Sequence, residues 1–214
     1  MTWHDIIQLH VAGAQGVSAG RQNGLVELRW TEVPETLRTL AGRMKVSLDS
    51  SFPVELSPSW RGARAIAAVI GGRGNRVRLG GALAGTLSPE ALEGVMAHEL
   101  AHLKCRHWEL LLLGCILAAL GGVALGLALD LPTALRVALG GLVPVVSAAS
   151  LSWLAEYEAD RVAARYVGYD VMALTLRELR DTGFRARAEF THPPDGSRVR
   201  RLVSAGAAEA RRGC

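Results

Sequence analysis

Apolar residues are distributed very unevenly along this chain. Twenty successive residues, Leu110 to Leu129, carry no charge, and nineteen more, Val137 to Ala155, do the same. As a helix each run is about 30 Å long, the thickness of a bilayer's hydrocarbon core. Asp130-Leu131-Pro132-Thr133 between them reads as a short turn, so the pattern predicts an antiparallel hairpin whose outer ends return to one side. Small residues recur every four positions, at Gly114, Ala118, Gly122 and Gly126 on the first run and at Gly140, Pro144, Ala148 and Ser152 on the second. Such faces let two helices approach closely. A buried hairpin in a soluble protein is the competing reading, but a chain this short has little other mass to cover it.

Outside the hairpin the periodicity is that of a small mixed domain. Leu37, Leu40 and Met44 predict a helix over Pro34 to Met44. Val54 to Leu56, Ala65 to Ile70 and Arg76 to Leu79 are short extended candidates bounded by Pro58, Gly71-Gly72 and Gly80-Gly81, and they predict a three-stranded sheet. Ser88-Pro89-Glu90 combines an N-cap, a first-position proline and a first-turn acid, a strong helix start. Near the amino terminus Trp3, Ile6, Ile7, His10 and Val11 fit a short amphipathic helix, packed on the domain or on a membrane surface.

Composition narrows the class. At 214 residues, 50% hydrophobic and 5% aromatic, the chain suits one compact domain with an apolar insert and excludes intrinsic disorder. Residues 1–107 carry 12 basic and 9 acidic groups and residues 156–214 carry 11 and 9, whereas residues 108–155 hold only Glu109, Asp130 and Arg136. The net charge of +4 is spread without a basic block, which argues against nucleic-acid binding. Cys105, Cys115 and Cys214 are odd in number and unpaired in spacing, so a disulfide scaffold is excluded and a reducing compartment fits. Lys104, Arg106, Arg161 and Arg165 flank the outer ends of the hairpin, while the turn side has only Arg136. Positive-inside reasoning then puts both polar parts in the cytoplasm. Ile6 to Ala14 is interrupted by Gln8 and His10 and lacks a basic n-region, so no signal peptide is expected.

The candidate chemistry starts at His98-Glu99-Leu100-Ala101-His102. Two histidines four apart share a helix face and can reach one zinc ion, with Glu99 beside the open position. A second acidic cluster, Glu156-Tyr157-Glu158-Ala159-Asp160, follows the second apolar run, with Glu156 and Asp160 on one helical face and Glu158 on the other. A catalytic zinc takes three protein ligands and a water, and His, His and Glu is a known set. That makes His98, His102 and Glu156 candidate ligands and places Asp160 to accept the outer ring N–H of a histidine, against the plainer readings of a metal-free histidine pair and of Glu156 as a solvated helix charge. By the same helical counting His107 falls off the ligand face, as a surface or interfacial residue. Cys105 is an incidental thiol or, less simply, a ligand.

Taken with Thr191-His192-Pro193-Pro194, Arg198 and Leu202, these motifs resemble the M48 family of membrane zinc endopeptidases, with its HtpX-like and Ste24-like branches, over roughly residues 33–204. The resemblance implies an α+β, mainly helical gluzincin-type zinc protease core. In it a small β-sheet supplies an edge strand, Ala65 to Ile70, that pairs with substrate, and a transmembrane hairpin is inserted between the zinc-ligand helices. It implies one Zn2+ held by His98, His102 and Glu156, Glu99 as general base, His192 near the site with a catalytic or a structural part, and Arg198 anchoring the carboxy-terminal segment on an acid of the Glu156 helix. Two departures stand out. Residues 1–60 are too polar to span a membrane, so two passes are expected where HtpX-like members have four, and Arg64-Ala65 replaces the family's Asn-Ala.

The expected organisation is residues 1–107 as the amino-terminal part of the catalytic domain, 108–155 as the hairpin and 156–214 as the carboxy-terminal part with the third ligand. The expected partners are a protein or peptide substrate and the lipid bilayer, with no nucleic acid. The expected activity is hydrolysis of peptide bonds at the cytoplasmic face, in membrane-protein quality control. The alternative is a non-catalytic zinc-binding membrane protein, a regulator or assembly factor, whose structural site would be closed by His192 or Cys105. Glu99, which no structural site requires, favours the enzyme.

Overall fold

The computed structural model describes residues 23–51, 53–57, 63–66, 74–183 and 192–212. The amphipathic stretch predicted near residues 3–11 and Cys214 lie outside them. Helix α1 runs Asn23–Met44 and is followed by strands β1 (Val54–Ser57), β2 (Ala63–Ile66) and β3 (Arg76–Gly80). A short helix α2 (Gly81–Thr86) leads to α3 (Pro89–Lys104), α4 (His107–Ala128), α5 (Thr133–Val167), α6 (Tyr169–Asp181) and α7 (Asp195–Arg212).

Helix α1 begins at Asn23 rather than at Pro34, so Pro34 lies inside it. The apolar spacing marks the part over which Val33, Leu37, Leu40, Ala41 and Met44 face the core. An internal proline removes one backbone hydrogen bond, which shifts the predicted boundary without ending the helix.

The predicted three strands form one sheet in the order β1-β3-β2. β1 is parallel to β3, with Val54 opposite Val77, and β2 is antiparallel to it, with Ala63 opposite Leu79. β2 is therefore an edge strand, and it packs beside α3. It starts at Ala63, earlier than the apolar run suggests, and residues 67–70 of the predicted strand lie outside the described residues.

Helix α3 starts as its cap residues dictate. Ser88 Oγ accepts from Ala91 N at 3.2 Å, while Glu178 of α6 takes Ser88 N and Ser88 Oγ at 2.8 Å each. The cap thus also docks α3 on α6. Behind it Ala97 and Ala101 of α3 and Ala159 and Ala163 of α5 are all fully buried, small side chains that let the two helices come close.

The two apolar runs form the predicted hairpin, α4 and α5. Both helices are long and apolar enough to cross a membrane, and their outer faces carry exposed large side chains such as Leu113, Leu117, Leu120, Val137, Leu142 and Val146. The buried-hairpin reading would require those faces to be covered, and among the described residues they are exposed. The glycines line the seam as their spacing predicts. A Cβ on Gly122 would sit 2.8 Å from Leu139 O, and one on Gly140 would sit 2.9 Å from Val123 Cγ2. At the turn Arg136 Nη2 donates to Asp130 Oδ1 at 3.0 Å, pairing two of the three charges of this segment.

Helix α5 passes from the apolar run into the acidic cluster without a break, so Glu156 and Asp160 stand on the same rod as the second hairpin helix. It ends at Gly168, whose φ of 102° is left to glycine on steric grounds. The reversal there lays α6 back against α3.

Candidate metal centre

Three side chains converge where α3 faces the part of α5 that follows its apolar run. His98 Nε2 and His102 Nε2 are 3.1 Å apart, and each lies 3.4 Å from an oxygen of Glu156. One turn of α3 separates the histidines, which puts both rings on one face. His98 and Glu156 are buried and His102 is half-buried.

The arrangement fits a small cation. Metal–ligand bonds of about 2.0 to 2.2 Å in a tetrahedral site separate neighbouring ligand atoms by about 3.3 Å, close to the spacing here. Without a cation, two imidazole nitrogens and a carboxylate would face one another. Glu156 Oε2 is buried with no hydrogen-bond partner, although Arg198 Nη1 approaches to 3.1 Å. Two nitrogens and a carboxylate oxygen are a borderline-soft donor set that suits zinc.

The outer shell is charged and buried. His98 Nδ1 lies 3.0 Å from Asp160 Oδ1, the relationship expected from helical spacing. Arg198, with no exposed surface, reaches Asp160 through Nε to Oδ2 at 2.6 Å and Nη2 to Oδ1 at 2.5 Å. The sequence-level expectation that Arg198 ties the carboxy-terminal helix to an acid of the Glu156 helix matches this geometry. Burial disfavours a charged His98, but Glu156 and Asp160 on either side outweigh it and push its pKa up to about 10. A site with this much negative potential holds a proton when it holds no metal.

His192 also reaches the centre, with Nδ1 3.1 Å from Glu156 Oε1, and the carboxylate raises its pKa above the usual histidine value. It approaches from the segment that leads into α7. Glu99 is buried on α3 beside His98, about 100° around the helix from it.

One residue departs from the helical-wheel reading. His107 is buried, not a surface residue: its Nδ1 lies 2.9 Å from His102 Nδ1 and its Nε2 3.2 Å from Glu158 Oε2. Helical counting failed because the helix does not continue. Arg106 adopts a left-handed φ of 55°, ending α3 and turning the first residue of α4 back toward the metal face. Glu158 does point away from the three ligands, as expected, yet it meets His107 there. No glycine or asparagine stands at that position, so the usual local signal for a left-handed break was missing.

A model of peptidase family M48 matches residues 27–205 of the chain. This chain belongs to peptidase family M48. Its membership makes it a metallopeptidase, a hydrolase acting on proteins or peptides, and the HExxH helix lies well inside the matched region. Comparison with curated proteins and with solved structures gives no match.

Proposed function

We propose that this M48 peptidase is a membrane-anchored zinc endopeptidase in which His98, His102 and Glu156 hold one zinc ion and Glu99 is the general base. The observation that carries the proposal is the convergence of two imidazole Nε2 atoms and a carboxylate from two separate helices within 3.4 Å of one another. When bound, zinc lowers the pKa of a coordinated water toward about 7 and polarises the scissile carbonyl.

The chain's own residues do the rest. Glu99 takes a proton from the attacking water and delivers it to the leaving amine nitrogen. His192, beside the carboxylate of Glu156, donates to the carbonyl oxygen as that oxygen gains negative charge. The outer edge of β2 offers a row of backbone groups beside α3, and an extended substrate adds there as a further strand. A strand added along that edge would bring an internal segment of the substrate, not a chain end, past the HExxH helix, which is what an endopeptidase needs.

The hairpin sets where the reaction takes place. Because α5 is continuous from the apolar run to Glu156, the metal site sits at the base of the hairpin, next to the bilayer surface. Lys104, Arg106, Arg161 and Arg165 at that end support a cytoplasmic placement. Substrates reaching it are exposed loops of membrane proteins, which fits a part in membrane-protein quality control.

The test compares the wild-type chain with Glu99→Gln, both purified in detergent with zinc, on an unfolded model protein. Glu99→Gln keeps about one zinc per chain and loses activity by roughly 10²-fold to 10⁴-fold, as expected for a lost general base. Equal cleavage by the two proteins overturns the mechanism. Zinc binding with no cleavage by the wild type favours a non-catalytic zinc protein.

A further inference from the structure

His107 belongs neither to the ligand set nor to the catalytic pair, yet it is 7% exposed and each of its ring nitrogens has a partner. Proton counting decides what the contacts mean. If His102 binds the metal through Nε2, its second ring proton is on Nδ1. That N–H points at His107 Nδ1 across 2.9 Å, so His107 Nδ1 must be the acceptor. A neutral His107 that accepts at Nδ1 carries its proton on Nε2, 3.2 Å from Glu158 Oε2. Every atom in the chain from Glu158 through His107 to His102 then has one consistent role.

The same counting addresses a second cluster. Cys105, His107 and Glu158 offer ligand atoms within 4.8 Å of one another, a candidate second metal site. A metal on His107 Nε2 would place the His107 proton on Nδ1, facing the Nδ1 proton of His102. Two N–H groups would oppose each other at 2.9 Å, so occupancy of the first site works against occupancy of the second.

We propose that His107, backed by Glu158, is a positioning residue that fixes the tautomer and ring orientation of His102 for metal binding. The inference rests on the reading of His98, His102 and Glu156 as metal ligands. It gives the two histidines unlike supports. His98 is backed directly by the buried carboxylate of Asp160, whereas His102 is backed by a neutral imidazole that relays an exposed carboxylate, Glu158. A third histidine, at the start of the helix after the HExxH helix, thus orients a ligand that the motif supplies.

Zinc affinity measured by chelator competition on the full chain in detergent tests this. Thermal unfolding without metal reports the fold separately. His107→Leu should weaken zinc binding by about 10-fold to 100-fold, the usual effect of losing an outer-shell partner. His107→Asn should recover most of the loss, because its carboxamide oxygen can accept where Nδ1 did. Glu158→Ala, at an exposed position, should give a smaller loss, and Cys105→Ser none. Cobalt(II) in place of zinc should show altered visible absorption bands in His107→Leu and near-normal ones in His107→Asn. Should His107→Leu fail to fold, the Asn and Glu158 variants carry the same comparison. Wild-type affinity in His107→Leu overturns the proposal, and where that variant does not fold, wild-type affinity in Glu158→Ala does so. So does a wild type that binds two zinc ions and loses the second in Cys105→Ser. No zinc binding by the wild type would instead remove the ligand assignment itself.

Discussion

Arg198 and Asp160 form a two-pronged ion pair with no exposed guanidinium surface, joining α7 to the rod that carries Glu156. The pair lies directly behind His98, so one contact holds the carboxy-terminal helix in place and orients a candidate ligand. Truncating one partner leaves the other charge buried and unpaired, which costs about 3–5 kcal/mol. Arg198→Ala should therefore lower the unfolding midpoint of the detergent-purified protein and weaken zinc retention together. Arg198→Lys keeps the charge but loses the fork, so it should fall between the two. Chelator-resistant zinc and thermal unfolding, measured on the same samples, check both effects, and an Arg198→Ala protein as stable as the wild type would refute the role.

The hairpin seam makes a prediction through two adjacent glycines. A Cβ on Gly122 would press to 2.8 Å against the Leu139 carbonyl oxygen, a backbone atom that cannot swing away, while a Cβ on Gly121 meets nothing within 4 Å. Gly122→Ala should force the helices apart and destabilise the protein by about 1–3 kcal/mol, as overpacking does. Gly121→Ala should be neutral or slightly stabilising because alanine is the better helix former. Unfolding in detergent distinguishes them, and equal behaviour of the two variants would show that this face is not the contact.

Orientation can be read with reporter fusions or cysteine accessibility. Sites near residues 45 and 200 should report the cytoplasm, and the turn at Asp130 to Thr133 should report the opposite side. A turn reached from the cytoplasm, or a native chain soluble without detergent, would overturn the two-pass placement.

What the sequence could say about this molecule followed the reach of local rules. Helical spacing put His98 with His102, and Glu156 with Asp160, on common faces because α3 and α5 are regular over those positions. Ser88-Pro89-Glu90 marked the start of α3 to the residue, since a cap is a property of neighbouring residues. The same rules misplaced His107, because one left-handed residue, Arg106, ends the helix on which the count was made. They also set the start of α1 at Pro34, since the spacing used covers only Leu37 to Met44. Pairing of Glu178 with the cap of α3 lies 90 residues away in sequence and has no periodic signature.

The last prediction follows from the proton that His98 holds. With Glu156 and Asp160 beside it, its pKa stands at about 10 against an ordinary 6.5, so the metal-free protein near pH 7 carries a charged His98. A raised folded-state pKa contributes stability that is fully present below about 6.5 and is lost as pH rises through about 10. Zinc needs the neutral ring, so each ion bound near neutral pH must release that proton. Zinc affinity should therefore climb about tenfold per pH unit between roughly pH 7 and 9, while the metal-free protein gradually loses the stability that the charged histidine supplied. Heating with and without zinc should show the gap between the two forms widening with pH over that range. Chelator competition at pH 7 and 9, with proton release followed in weakly buffered solution, measures the slope directly. A flat affinity without proton release would mean that His98 is already neutral in the metal-free protein, and that the two carboxylates do not govern it.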